Sequence, residues 1–485
     1  MNIIVYDLTF LVLFAIFVAI LLYRGKKNLK KEGILLLYKA QWGMKLIDYV
    51  GLKYKKTIHA LSYVSIVMGY FLMVVMIYLF GKIMWIYLFA PKVVSAVKIP
   101  PIMPLVPYLP QIFKLDFLPP FYFVYWIVIL AVIAIPHEFF HGIFARKSGV
   151  RIKSTGFGFF PFFLPVFLAA FVEQDEEDMK SKDTFDQLAI LSAGTFANVL
   201  TAILVFLILV ITFSLSFTPV GVTFDSYAYS FVPFNNVTSI NGVDVVNPTT
   251  QEILDLSVEG GYNYLIFEGE SFIINTQMLE DQINRQMLAD HKESSQYLSL
   301  YYDAPAINSK LTGAISKINN DEILELYDLS VSLEKYSPGE TVRIETINED
   351  EDVLVFEVTL EKNPDSEGSW LGIGFVDNSG TGVKAQVFKL LASFKKPHTA
   401  YVPAWGGWSM FIYNLLWWLV LILVSVALVN MLPVGIFDGG MFFYLSVWKF
   451  TGSEKIAEKA YKFVTYGFLA LVALLMVLWA KAMYF

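Results

Sequence analysis

Cysteine is absent from the 485-residue chain. That excludes disulfides, thiolate metal ligands and a cysteine nucleophile together. Charge is scarce: 16% of residues are charged, against about 25% in an ordinary soluble domain. Basic excess is missing too. The net charge is -7, so a nucleic-acid partner has no electrostatic support. No basic residue precedes the first apolar stretch, 3–23, whereas Arg24, Lys26, Lys27, Lys30 and Lys31 follow it. A cleavable signal peptide has the opposite order, so this stretch reads as a retained transmembrane helix. Histidine is also rare, with five in all: His59, His137, His141, His291 and His398.

What fills the chain instead is apolar. Hydrophobic residues make up 56% and aromatics 16%, a composition suited to lipid and its interfaces. A membrane-spanning helix needs about 20 mainly apolar residues. Such runs fall near 3–23, 59–81, 119–147, 186–216, 408–432 and 460–482, with a shorter apolar helix at 438–450. Gly156–Val172 is apolar but holds Pro161 and Pro165, which break a helix. It reads as a re-entrant loop or short hairpin, buried in protein or lining a wet cavity. The expected fold is a polytopic α-helical membrane protein, with about six spans, a re-entrant segment and an inserted α+β region.

Lysine and arginine set the expected topology. Ten of them lie in 24–56, against Glu32 and Asp48, which makes that segment cytoplasmic by the positive-inside rule. Counting spans puts 91–118 outside, 148–185 inside and 218–385 outside. Arg146, Lys147, Arg151 and Lys153 support the second cytoplasmic placement. The expected divisions are 1–56 (first span and basic loop), 57–217 (membrane core), 218–385 (extramembrane insert) and 386–485 (C-terminal membrane core).

The insert carries a weak internal repeat. Val237–Val245 (VTSINGVDV) resembles Ala314–Ile323 (AISKINNDEI). Each reads as a strand, an Asn-Gly or Asn-Asn turn and a second strand. The later copy continues with a helical stretch and two strands, Val342–Ile347 and Val353–Leu360.

The chemistry concentrates at His137-Glu138-Phe139-Phe140-His141, inside the third apolar run. Residues four apart share a helix face, so the two imidazoles can converge on one metal ion. The intervening glutamate can reach a metal-bound water without ligating the metal. A solvated helix end is the bland alternative. It weakens inside WIVILAVIAIPHEFFHGIFA, because ionisable residues at membrane depth are costly and usually functional. The other three histidines have no partner at useful spacing and read as ordinary surface or interfacial residues.

A catalytic zinc generally takes three protein ligands and a water. The outstanding third candidate is Asp438, in Asn430-Met-Leu-Pro-Val-Gly-Ile-Phe-Asp-Gly-Gly440. It could equally cap the helix that follows. Span counting brings both motifs to the cytoplasmic ends of their helices.

Three motifs together resemble the site-2 protease family of intramembrane zinc metalloproteases. They are HEFFH at 137–141, the Asn430, Pro433, Asp438, Gly439 pattern, and Leu191–Asn198 (LSAGTFAN). The last is similar to the family's Ala-Gly-Pro-x-x-Asn segment, with Thr195 where the family usually has proline. The insert resembles PDZ domains, best at 298–378, with 219–275 as a partial second copy and Tyr301–Ala306 near the ligand-binding loop. The resemblance implies one catalytic zinc held by His137, His141 and Asp438, with Glu138 moving the water's proton. Asn198 and Asn430 become donors to substrate backbone or oxyanion, or else hydrogen-bond between helices. It also implies transmembrane protein substrates, trimmed beforehand by another protease, that add as a strand to an edge of the 156–172 segment, and a PDZ-like insert that filters substrates by size or binds their tails. A catalytically silent receptor or scaffold carrying the PDZ-like region is the competing class, and a transporter is a third.

Overall fold

The computed structural model describes residues 3–32, 35–90, 94, 100–101, 105–113, 115, 118–159, 168–288, 297–364, 366–376, 380 and 382–484. The chain divides into two compact units. One comprises 1–212 and 410–485, the other 213–409.

Six helices of the described chain are long and apolar enough to cross a membrane. With two shorter helices, the α-helices that concern the site are α1 (Ile3–Arg24), the short α2 (Met44–Lys53), α3 (Lys55–Phe89), α4 (Phe123–Lys147), α5 (Thr184–Ser216), α6 (Gly407–Asn430), the short α7 (Asp438–Thr451) and α8 (Glu454–Tyr484). The six spans expected from composition are all present. Each forms because an unbroken apolar run leaves the backbone no hydrogen-bond partner in lipid except itself. At about 1.5 Å per residue, the 35 residues of α3 exceed what a bilayer core requires.

Small residues let the central helices approach. Ser65 of α3 and Ser192 of α5 share a hydrogen bond of 2.8 Å. A Cβ added at Gly69 would lie 3.2 Å from Ser192 Cβ and from Met431 Cε. In lipid, such close approach replaces the hydrophobic driving force available in water. Two buried clusters result. Ile47, Ile143, Phe144, Ile190 and Phe196 join α2, α4 and α5, and Leu72, Leu188, Met431 and Phe442 join α3, α5 and the start of α7.

Four antiparallel strands form one sheet in the order β1 (Leu29–Glu32), β2 (Leu35–Ala40), β3 (Ile152–Phe159), β4 (Leu168–Gln174). The Gly156–Val172 segment therefore contributes two paired strands, Gly156 opposite Phe171 and Phe159 opposite Leu168. Its tip, 160–167, lies outside the described residues. The basic segment 24–56 is more than a loop, since it supplies β1, β2 and α2. Gly156 permits the β2–β3 approach: a Cβ there would collide with the Tyr38 carbonyl.

The second unit is β-rich and has two hydrophobic cores. One sheet orders its strands 229–233, 297–302, 270–275, 262–267, 239–240, 243–244 over a core with Val232, Ile253, Leu265 and Leu300. The other orders them 353–359, 341–347, 314–318, 217–222, 399–403 over Ile315, Leu329, Val342 and Val358. The sequence repeat is also a structural one. Asn241 and Asn319 both adopt φ 51°, in the left-handed region that asparagine tolerates. Their N–H groups donate to the Tyr264 and Arg343 carbonyls at 2.8 Å each. Their Oδ1 atoms accept from the N–H of those same residues at 2.9 Å. Strand 297–302 joins the first sheet, so the first module spans 229–302 and interrupts the second.

Candidate metal centre

Three elements bring the centre together. Helix α4 presents His137 and His141 one turn apart, both buried. Asp438 is the first residue of α7, and its Oδ2 lies 3.3 Å from Nε2 of each histidine. The two Nε2 atoms are 3.1 Å apart. Among the described residues these three form the one group able to hold a metal ion. Asp438 does not act as the helix cap: the N-cap position falls on Phe437, without a side-chain cap.

The donor set fits zinc. Tetrahedral zinc with bonds of about 2.0–2.1 Å separates neighbouring ligand atoms by about 3.3–3.4 Å. The observed triangle, 3.1, 3.3 and 3.3 Å, is nearly that face. One hydrogen shared between two of these atoms would leave the third unmatched, whereas a metal ion would engage all three.

Glycines make the room. A Cβ at Gly194 of α5 would overlap Nε2 of His141 and come within 2.6 Å of the His137 ring. Gly439 and Gly440 let the chain fold back before α7: a Cβ on either would collide with backbone at 431–434. The Pro433 loop is tied by Val434 N–H to Leu432 O at 2.7 Å and Phe437 N–H to Val434 O at 3.0 Å. Asp438 is thereby aimed back at α4.

The outer ring nitrogens are also engaged. His141 Nδ1 is 2.7 Å from the Ile190 carbonyl, which fixes its hydrogen on Nδ1 and leaves Nε2 free for a metal. Asn198 lies on α5, fully buried, with Nδ2 3.2 Å from His137 Nδ1. Its Oδ1 is buried without a partner. A half-turn of the amide exchanges the two atoms. Oδ1 then accepts the Nδ1 hydrogen of a neutral His137. Thr195, one turn earlier, is buried with its hydroxyl unpartnered.

Glu138 stands beside the ligands rather than among them. Its Oε2 accepts the Val172 N–H at 3.0 Å. Because β4 is the last strand of its sheet, that N–H points away from β3 toward the centre. Asn430 ends α6, half-buried. Of the remaining histidines, His59 packs on Tyr63 and Phe185, His398 faces Asp225 at 3.3 Å, and His291 lies outside the described residues.

One residue near α4 escaped the sequence reading. Asp7, near the start of apolar α1, is buried. Its carboxylate accepts from Phe123 N–H at 2.7 Å and Val124 N–H at 2.9 Å, and from the Tyr108 hydroxyl. It caps the start of α4 from another helix. The available signal was a lone acidic residue in an apolar span.

No curated protein matches the chain. The sequence model of peptidase family M50 matches residues 125–475, from the helix of His137 and His141 through α7 and Asp438. The chain belongs to peptidase family M50, the site-2 protease family of membrane peptidases.

Proposed function

We propose that this membrane peptidase is an intramembrane zinc metalloendopeptidase that cuts transmembrane segments of other membrane proteins. The observation that carries the reading is the triangle of His137 Nε2, His141 Nε2 and Asp438 Oδ2, at zinc-ligand separations inside an apolar helix bundle. Zinc bound there would supply Lewis acidity, lowering the pKa of a water and polarising the scissile carbonyl.

The chain's own residues do the rest. Glu138 accepts a proton from the attacking water as its oxygen bonds to the carbonyl carbon. It then returns that proton to the peptide nitrogen as the C–N bond breaks, leaving an amine and a carboxylic acid that releases the water's second proton to solvent. Gly194 keeps space for both imidazoles, and Asn198 and the Ile190 carbonyl hold their tautomers. This orienting role is better supported for Asn198 than direct contact with substrate, because its amide already faces His137. Asn430 is the remaining candidate donor to substrate.

A helix hides its peptide bonds, so the substrate must unwind. The edge of β4 offers an extended segment a strand to pair with, beside Glu138. Lysine and arginine placement supports a centre toward the cytoplasmic side, with the insert opposite. The insert reads as PDZ-like and as a filter against untrimmed substrates.

The test is a purified protein with a model transmembrane substrate. Wild type should carry about one zinc per chain, consistent with a single catalytic site, and should cut. Glu138→Gln should keep the zinc and lose roughly 100- to 10,000-fold in rate. His137→Ala should lose both. Undiminished cleavage by Glu138→Gln would refute the mechanism.

A further inference from the structure

We propose that α2 is an interfacial helix whose outer face binds an anionic lipid surface, and that this contact seats the end of the metal-bearing helix. The level of α2 follows from its neighbours. Its last residue is separated by Tyr54 alone from the start of the span α3. Its inner face lies on the final turns of α4: a Cβ at Gly51 would sit 2.8 Å from Arg146 Cβ and 3.0 Å from the Ile143 carbonyl, and one at Gly142 would sit 2.9 Å from Ile47 Cδ1. Two spans therefore end at this helix, which fixes it at the membrane boundary.

The inner face is finished, with Ile47 and Gly51 buried. The outer face is not. Trp42 just before the helix is 80% exposed, and Leu46, Tyr49 and Leu52 are 53, 52 and 47% exposed. Spacings of three and four residues place them on one side. Among them stand Lys45 and Lys53, exposed, with Lys55 and Lys56 at the start of α3. The Lys53 ammonium lies 4.6 Å from the Tyr49 ring centroid, its stem along the apolar face. Asp48, the one acidic residue of α2, is paired with Arg146. An aromatic and aliphatic stripe flanked by unopposed lysines is what an anionic bilayer surface attracts. A second copy of the chain would cover the same stripe, but would bring lysine against lysine.

The consequence reaches the centre. Gly142, adjacent to His141, touches Ile47, so a shift of α2 moves the turn that carries a metal ligand.

The test uses the full chain in vesicles. Because cysteine is absent, Leu46→Cys takes an environment-sensitive fluorophore uniquely, with Asp350→Cys in the second unit as a water-exposed control. Phosphatidylcholine vesicles are compared with ones containing phosphatidylglycerol. The label at 46 should shift to the blue, more so with phosphatidylglycerol, and salt should reverse the added shift. The control should not move. Lys45→Glu with Lys53→Glu should abolish the phosphatidylglycerol dependence while zinc content stays at the wild-type value. Inorganic phosphate added to phosphatidylcholine vesicles should not reproduce the shift. A label that reports water in both vesicles overturns the proposal. So does a shift that follows protein density, which would mean pairing of copies. If the double variant does not fold, the salt series on the singly labelled wild-type face decides by itself.

Discussion

At the residue scale the centre depends as much on atoms left out as on atoms supplied. His137, His141 and Glu138 were legible because spacing alone puts them on adjoining faces of a helix. Asp438 was legible as the acidic residue beside Pro433 and paired glycines. Gly194 was visible only as part of a motif. Its role depends on a helix crossing that sequence spacing does not encode, where the missing Cβ lets both imidazoles lie against α5. Gly194→Ala should therefore act as a metal-site mutation although it adds one methyl group and improves helix propensity. We expect purified Gly194→Ala to fold and to hold much less zinc than wild type by elemental analysis. Full zinc occupancy would mean that α5 can withdraw. Asn198 is similar. The sequence offered it a substrate role or an interhelical hydrogen bond, and the structure places its amide on His137.

At the element scale, α4 has to be held at one depth for His137 to meet Asp438. Its first turn has no cap of its own: the Tyr122 side chain makes no capping hydrogen bond. Asp7 supplies one from α1, taking two of the N–H groups that a helix start leaves unpaired. Within lipid those groups have no water to fall back on. Asp7→Ala should lower stability by roughly 1.5–3 kcal/mol, the scale of hydrogen bonds to a charged group. The folded fraction should still bind zinc, because Asp7 lies at the opposite end of α4 from His141. Thermal unfolding in detergent, read together with zinc content, checks both parts. An unchanged midpoint would show that α1 is not held to α4 by this contact. The six spans were readable because long apolar runs have one solution in a bilayer. The strands β1 and β2 and the helix α2 were not. They are short, lie in a stretch dominated by its lysines, and gain their shape from pairing with 152–159 and packing on α4, partners far along the chain.

At the scale of the whole molecule, the β-rich unit is an insertion between two spans, and its ends show why a membrane core can carry it. Strand 217–222 enters and strand 399–403 leaves as an antiparallel pair, with Phe217 opposite Pro403 and Thr218 opposite Val402. The chain departs and returns at neighbouring points, so closing the gap imposes little loop entropy on what remains. The two cores of the insert are built wholly from its own residues. The repeat inside the insert could be read from Asn241 and Asn319. That 297–302 pairs with the first sheet could not, because two similar modules offer a strand two plausible partners. Replacing residues 219–400 by a short Gly/Ser loop should therefore leave a membrane unit that binds zinc as the full chain does. If the insert is a filter, this variant should cut a model substrate bearing a bulky extramembrane domain that the full chain spares, while cutting a trimmed substrate at a similar rate. Loss of zinc on excision would mean that the centre depends on the insert. Equal sparing of the bulky substrate by both proteins would assign the selection to the membrane unit itself, with the edge of β4 and the confined approach to Glu138 as the next places to look.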